Sequence, residues 1–480
     1  MCDVSGPSTA AVIALNAIGA QDVHLLEEDD IEKSFFHYKT EQHTDFSTFR
    51  RVTQIDNKTK QKYWPFGLQG NEVKITLNPQ NMGDLLANMY LVMELPPCMY
   101  ARYVGRSLFK SIAFKVDGIE IEKIYDDWQV IYDELYLEQS EKDANDYLIN
   151  RMMYPVNTQR LEKKEILNGL GALSTIETIV PLRFFFSRKY SKSSYESNKQ
   201  NKPFFPLCAI YNQKIILEIE FNSVYYFSKP VTTEALAEPK FTQSTSFDFP
   251  TLPNFKIITE EITLTQEERM FYIKQKYDTL VNLVFKNPTA DSQLQSDIIK
   301  NNLVPNLAVK CIHWFVRKKA YEYKDKVDFE VGTKEFTEAY RSRYIKDRVN
   351  LIDSRYRFEK IKNAKLFLNS LDLPNVSIAD HNYFKYYTTY QARLSCPDKN
   401  IYTYSFSMNP FNAQSTGSLD FSNFNSDKTF LEVKLQSGVY TVDPFRIPGV
   451  DRLSEEYSLY IFYTGYKLMS FENGFMSLNE

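Results

Sequence analysis

Apolar and polar residues alternate along many short stretches of this chain. In 401–408, Tyr402, Tyr404, Phe406 and Met408 fall on one face and Ile401, Thr403, Ser405 and Ser407 on the other. That period of two predicts a half-buried strand. Asn409-Pro410 ends it, because proline donates no ladder hydrogen bond. A polar loop at 412–418 leads to a second short strand, with Leu419 and Phe421 inward and Asp420 and Ser422 outward. Val73, Ile75 and Leu77 alternate with Glu72, Lys74 and Thr76, and Ile215, Leu217, Ile219 and Phe221 with Ile216, Glu218 and Glu220. Residues 90–95 are apolar on both faces, as in a central strand, and Pro96-Pro97 closes them. Ile112, Phe114 and Val116 run into Asp117-Gly118, and Ile119 and Ile121 run out with Glu120 and Glu122 on the other face. An Asp-Gly pair between alternating runs predicts a type I′ hairpin, which needs positive φ at both positions. Further strands are expected at 179–186, 307–316, 366–368, 429–435 and 457–469.

Helical spacing is rarer. Trp128, Ile131, Tyr132 and Leu135 lie at i, i+3, i+4 and i+7 after Asp126 and Asp127, which read as caps, and polar helical chain continues to about residue 167. Thr265 to Glu268 reads as a capping box opening a helix with Met270, Ile273 and Tyr277 on one side. Residues 187–202, rich in Ser and Lys, read as a surface loop. Pro230, Pro239, Pro250 and Pro253 among many Thr and Ser mark 228–254 as a linker. The expected order is an arm at 1–33, a β unit at 34–227, the linker, and a second β unit at 255–480. No clean sequence repeat joins the halves, yet both show short alternating strands, long loops and a few inserted helices. Two tandem β-sandwiches follow. The arm is small and apolar to Ala20, then acidic at Glu27, Glu28, Asp29 and Asp30, and holds no aromatic residue. It reads either as a solvated tail or as a segment ordered against a neighbour.

Composition narrows the function more than it names one. With 57 basic and 61 acidic residues the net charge is −4, so nothing pulls the whole chain toward nucleic acid. Aromatics make up 15% of the 480 residues, which favours sheet surfaces and large interfaces. Only 15 are Gly, about half the usual ~7% share, which argues against Gly-rich phosphate loops. Cys2, Cys98, Cys208, Cys311 and Cys396 are scattered, with no metal spacing, and read as reduced thiols. Asp3 and the short apolar run 10–20 do not make a signal peptide, and no stretch reaches the ~20 residues of a membrane span. The sequons at Asn57 and Asn375 carry little without a secretory route.

Candidate chemistry is sparse. His24, His37, His43, His313 and His381 form no zinc motif, and His313 in a strand reads as packed rather than ligating. Residues 169–174 resemble a dinucleotide loop only superficially, since no βαβ pattern surrounds them. Asp126-Asp127 could serve a glycosidase but reads as a helix start. A basic run at 341–362, including Arg341, Arg343, Lys346, Arg348, Arg355 and Arg357, reads as a solvated face or as a surface for an anionic partner. No catalytic, cofactor-binding or metal residue is singled out, and no cofactor is expected.

These residues, in order, resemble the double jelly-roll major capsid proteins of nucleocytoplasmic large DNA viruses. His43-Thr44-Asp45-Phe46 is similar to the family's His-Thr-Asn-Phe, with Asp for Asn. Gly83-Asp84-Leu85 with 89–96, the 117–121 hairpin and the aromatic helix from Tyr125 to Trp128 follow the family's order, as do 181–186, Pro206-Leu207 and 215–221. In the second half Glu267-Glu268-Arg269, 309–314, 365–369, 381–384 and 402–406 continue it. Ser415-Thr416-Gly417 and Asp420-Phe421-Ser422 stand where the family has Pro-Ser-Gly and Asn-Phe-Ser. The 187–202 loop is longer than the family pattern leads one to expect.

The resemblance implies an all-β fold of two tandem eight-stranded jelly rolls with short helical inserts in loops. It implies a homotrimer forming a pseudo-hexagonal capsomer that meets neighbouring capsomers in an icosahedral shell, and no enzyme activity. It places the N-terminal arm inside, in reach of minor capsid proteins or an internal membrane, with no sequence-specific nucleic-acid binding. The expected location is the virion capsid, assembled in the host cytoplasm. Two alternatives stand beside it: a viral scaffold or receptor-binding β-sandwich, and a carbohydrate-active β-sandwich enzyme with facing carboxylates in a cleft.

Overall fold

The computed structural model describes residues 47–54, 72–95, 99–100, 104–149, 176–189, 204–222, 228–229, 255–292, 297–305, 307–319, 358–369, 371–373, 379–411, 416–421, 424–436 and 456–479. The arm, the sequons, 169–174, the linker from 230, most of the 187–202 loop and the arginines of the basic run lie outside the described residues.

The first unit contains β1 (Ser47–Gln54), β2 (Glu72–Leu77), β3 (Leu85–Leu95), β4 (Phe109–Val116), β5 (Ile119–Tyr125), β6 (Ile176–Pro181), β7 (Ile215–Phe221) and β8 (Phe255–Thr263). One sheet runs β1-β8-β3-β6 and the other β2-β7-β4-β5. Among these eight strands the β4–β5 hairpin joins sheet neighbours and each other step passes from one sheet to the other, which is the jelly-roll path; a short strand at Phe205–Pro206 also pairs with β3. At its turn, Asp117 and Gly118 take φ of 47° and 86°, the left-handed pair the sequence predicts.

The strands bury the face their alternation marks. Ile215, Leu217, Ile219 and Phe221 point in, while Glu218 and Glu220 point out. Lys74 donates to Glu218 at 2.8 Å and Lys110 to Glu220 at 2.8 Å across neighbouring strands. Such surface pairs are worth ~0–1 kcal/mol each, so the apolar interior carries the stability.

The second unit repeats the order. Its strands are β9 (Tyr277–Lys286), β10 (Ile298–Asn302), β11 (Ala308–Lys318), β12 (Ile361–Leu368), β13 (Leu371–Leu373), β14 (Tyr402–Ser405), β15 (Phe430–Leu435) and β16 (Tyr457–Glu472), with β17 (Phe475–Asn479) turning back on β16. The sheets run β9-β16-β11-β14 and β10-β15-β12-β13. In both units the first, eighth, third and sixth strands lie side by side, a repeat invisible in the residues. Trp314 anchors the second interior, with its ring 5.1 Å from Phe384.

Helical segments sit in the connections. α1 (Asp126–Leu135) and α2 (Gln139–Leu148) follow β5, and α3 (Gln266–Lys274) joins the units. A π-turn at Tyr383–Tyr387 runs into α4 (Thr388–Gln391) between β13 and β14.

Several sequence expectations need correction. β8 pairs with both β1 and β3, so 255–263 completes the first sandwich rather than opening the second, and we propose a boundary near Leu264. β6 stops at Pro181; Phe184, Phe185 and Phe186 are buried in a turn closed by the Ser187 amide on the Phe184 carbonyl at 2.8 Å. The 401–408 strand ends at Ser405, because the amides of Phe406 and Ser407 both turn to the Lys310 carbonyl. Met408 is therefore 84% exposed. Thr265 occupies the N-cap of α3 without a side-chain hydrogen bond, whereas Glu138 and Glu141 form a capping box on α2. Asp126 and Asp127 lie inside the first turn of α1 behind Tyr125, buried rather than capping.

Candidate assembly site at the joint between the rolls

The two sandwiches meet through buried polar groups as well as aromatic rings. α1 lies on the outer face of the β9-β16-β11-β14 sheet, its Trp128 ring 6.0 Å from His313 and 6.2 Å from Phe462. Phe315, Tyr460 and Phe462 of that face belong to the same apolar cluster as the first roll's interior. β11 and β16 are thus buried on both faces, which explains their nearly continuous apolar sequence.

Glu122 is the centre of the joint. The sequence places it outward with Glu120, but a bulge at Ile121 sets Glu122 opposite Phe114 and buries it. Its carboxylate pairs with Arg188 and accepts from the amides of Phe185 and Val284, each at 2.8 Å. Val284 lies on β9, so one side chain of the first roll satisfies backbone of the second. Burial pushes this carboxyl up, while Arg188 and the two amides pull it down. Arg188 also donates to the Asn282 carbonyl at 2.8 Å and sits 5.6 Å from the Trp128 ring centre.

Three further contacts flank this core. Asp127 pairs with Arg317 of β11. The Asp398 amide donates to Glu134 at 2.9 Å and the Ser395 amide to the Leu135 carbonyl at 2.8 Å, tying the end of α1 to the second roll. At the far edge the Met476 amide donates to Gln213 at 2.6 Å. Removal of one partner of such a buried pair costs far more than its net formation gains, so these groups specify one mutual placement of the rolls.

His313 is fully buried, with Nε2 2.8 Å from the Tyr136 hydroxyl and Nδ1 2.9 Å from Thr403 Oγ1. It packs, as its strand position predicts. Burial lowers its pKa to about 3. His381, 2.8 Å from the Tyr402 hydroxyl, is lowered to about 4 by burial and then by Lys360 and Lys385. Both folded values lie below the unfolded ~6.5, so their contribution is complete above ~pH 6.5 and is lost as pH falls toward 4. Each histidine should cost about 1.4 kcal/mol per pH unit over that window. Urea midpoints at pH 7.5 and 5.0 check this: His313→Gln should show a smaller drop than wild type, and an equal drop would refute it.

A polar cavity of about 140 Å³ lies beside the joint, lined by Arg106, Asp133, Glu134 and Asp398 among others. Two of its acids hold structure: Asp133 accepts from Arg106 at 3.1 Å and from Asn145 at 3.0 Å, and Glu134 from the Asp398 amide. Among the described residues no group of three or more His, Cys, Asp or Glu could hold a metal ion. Cys208, Cys311 and Cys396 are free thiols, the first two buried. No described helix is long and apolar enough to cross a membrane.

Sequence periodicity misses Glu122, Arg188 and Arg317. The bulge hides the first; the carboxylates that pair with the other two, Glu122 and Asp127, lie 66 and 190 residues away in the chain.

Comparison with known proteins accounts for this architecture. A family model described as the large eukaryotic DNA virus major capsid protein matches residues 260–477, and one described as the major capsid protein N-terminus matches 34–262. Their meeting point falls at β8. The major capsid protein of Pyramimonas orientalis virus is 24% identical over 216 residues, which are 44% of this chain and 46% of that one. The major capsid protein of Spodoptera frugiperda ascovirus 1a is 20% identical over 343 residues, 68% of this chain and 65% of that one. The matches thus span less than two thirds of these relatives. Among solved structures, PBCV-1 VP54 superposes with a TM-score of 0.65 at 17% identity, covering 93% of this chain and 100% of that one. The Faustovirus major capsid protein gives 0.55 at 11% identity, covering 98% and 95%. Both share the double jelly-roll fold.

Proposed function

The chain belongs to the large eukaryotic DNA virus major capsid protein family, and from that premise we propose that it is the shell subunit of such a virion. Three copies close into a capsomer with six rolls in pseudo-hexagonal order, and capsomers tile an icosahedral shell. Its work is assembly, and the relatives it matches are capsid proteins rather than enzymes.

The observation that carries this reading is the joint. Two sandwiches of identical strand order are held side by side by a buried ion pair, backbone-satisfying side chains and a shared apolar cluster. A subunit whose rolls could pivot would present no constant shape to its neighbours; here the Glu122–Arg188 pair and the bond from the Val284 amide oppose such a pivot. Asp133, Glu122 and Glu134 at the joint each accept structural hydrogen bonds. Contacts of the arm with minor capsid proteins or an internal membrane, and assembly in the host cytoplasm, complete the proposal.

Light scattering on the purified full chain tests it. The expected mass is three times that of the chain, with hexagonal particles in negative stain. A monomer at micromolar concentration across a range of salt would refute it.

A further inference from the structure

The rolls share one topology, yet the outer faces of their equivalent sheets are covered differently. In the second roll that face is buried under α1, which comes from the β5–β6 connection of the first roll. In the first roll the outer face of β1-β8-β3-β6 carries Tyr90, Ile179 and Ile258. Tyr90 opposes Ile258, and Ile179 opposes Val92 two residues along the same strand. Tyr90, Ile179 and Ile258 stay only half-buried, an apolar patch flanked by Lys256 and Glu260.

The topological counterpart of α1 is the helical segment Tyr383–Tyr387 with α4, in the β13–β14 connection. Phe384 fixes it to its own roll against Trp314. Its opposite side leaves Tyr386, Tyr387 and Tyr390 44%, 54% and 84% exposed. The two helices carry matching aromatic ladders. Tyr132 stacks on Tyr136 at 5.2 Å, and Tyr383 stacks on Tyr387 at 5.2 Å.

We propose that Tyr386, Tyr387 and Tyr390 of one copy dock on the Tyr90–Ile179–Ile258 face of a second copy, repeating between chains the contact that α1 makes within one. The inference rests on the shell-subunit reading and names the surface that would join its copies. Tyrosine suits such a contact, because the ring covers apolar surface while the hydroxyl keeps a hydrogen-bonding tip for a polar rim such as the one Lys256 supplies. A contact between unlike surfaces of this kind is head-to-tail, and it closes into a ring of three where each copy is turned by a third of a rotation from the last.

Sedimentation equilibrium on the full chain tests the surface. Tyr390→Glu should weaken self-association at least about tenfold, with an unchanged thermal midpoint at a dilution where the wild-type chain is dissociated too, because the residue is 84% exposed in the single chain. Adding Ile258→Lys, or Ile179→Lys as a second choice, should restore most of that loss by facing the new carboxylate with a cation. Association within about twofold of wild type in Tyr390→Glu overturns the inference while leaving the shell-subunit reading intact. Weakening that neither lysine rescues overturns the assigned face. A wild-type chain that never associates overturns both readings.

Discussion

Glu122→Ala should lower the unfolding free energy by about 3–5 kcal/mol, enough to consume a large part of the margin by which a domain stays folded. Two costs combine. Arg188 keeps its charge in a buried site without its carboxylate partner. The amides of Phe185 and Val284 lose their acceptor, each an orphaned buried donor worth about 1–3 kcal/mol. Arg188→Met should cost less, because Glu122 can take up a proton and still accept from one amide while its hydroxyl rotates. Burial already pushes that carboxyl up, and loss of Arg188 pushes it further. A carboxyl with a raised folded pKa destabilises as pH rises through that value, so Arg188→Met should be weakest at alkaline pH and recover on mild acidification. Urea unfolding followed by tryptophan fluorescence is suited to this, since Trp128 lies against Arg188. A loss under about 1 kcal/mol in Glu122→Ala, or the opposite pH trend in Arg188→Met, would show that the pair does not hold the rolls together.

The contrast between strands and joint shows which physics is local. Alternation in 215–221 depends only on which face meets the core, so it marks β7 residue by residue. The Asp117-Gly118 turn depends on two φ angles and is equally legible. The sequence puts β8 in the wrong roll because its partners β1 and β3 lie far back in the chain, and nothing within 255–263 states which sheet it completes. Glu122 reads as outward because a one-residue bulge at Ile121 reverses the phase that periodicity assumes. Asp126 and Asp127 sit where caps sit, and only the return of β11 beneath α1 supplies Arg317. The order of motifs nevertheless carries the fold, since each jelly-roll strand keeps its place in the sequence even where its partner is remote.

Among the described glycines of the second roll, Gly465 should tolerate an added methyl least, in Gly465→Ala. Gly465 lies in the middle of β16, between Leu283 of β9 and Val309 of β11. β11 bulges there: Val309 opposes Gly465 and Cys311 opposes Thr464, so Lys310 is the extra residue. The bulge drives Leu307 and Ala308 toward β16. An added Cβ at 465 would lie 1.8 Å from Leu307 Cδ1 and 2.5 Å from the Ala308 carbonyl oxygen. The leucine tip can rotate away, but the carbonyl belongs to the sheet and cannot move without shifting the bulge. Overpacking of this kind costs about 1–3 kcal/mol, and more where backbone must give, so a loss of at least about 3 kcal/mol is expected. The bulge also positions buried Lys310 near the Tyr466 ring at 4.9 Å and offers its carbonyl to Phe406 and Ser407, which is what ends β14. A shifted bulge should therefore loosen the 406–408 turn as well, visible as faster amide exchange at Phe406 and Ser407. Leu307→Ala added to Gly465→Ala separates the two clashes: it should recover only the side-chain part, leaving a deficit set by the Ala308 carbonyl. Full recovery in the double variant would mean that the backbone of β11 is free to retreat, and that glycine is there for leucine alone.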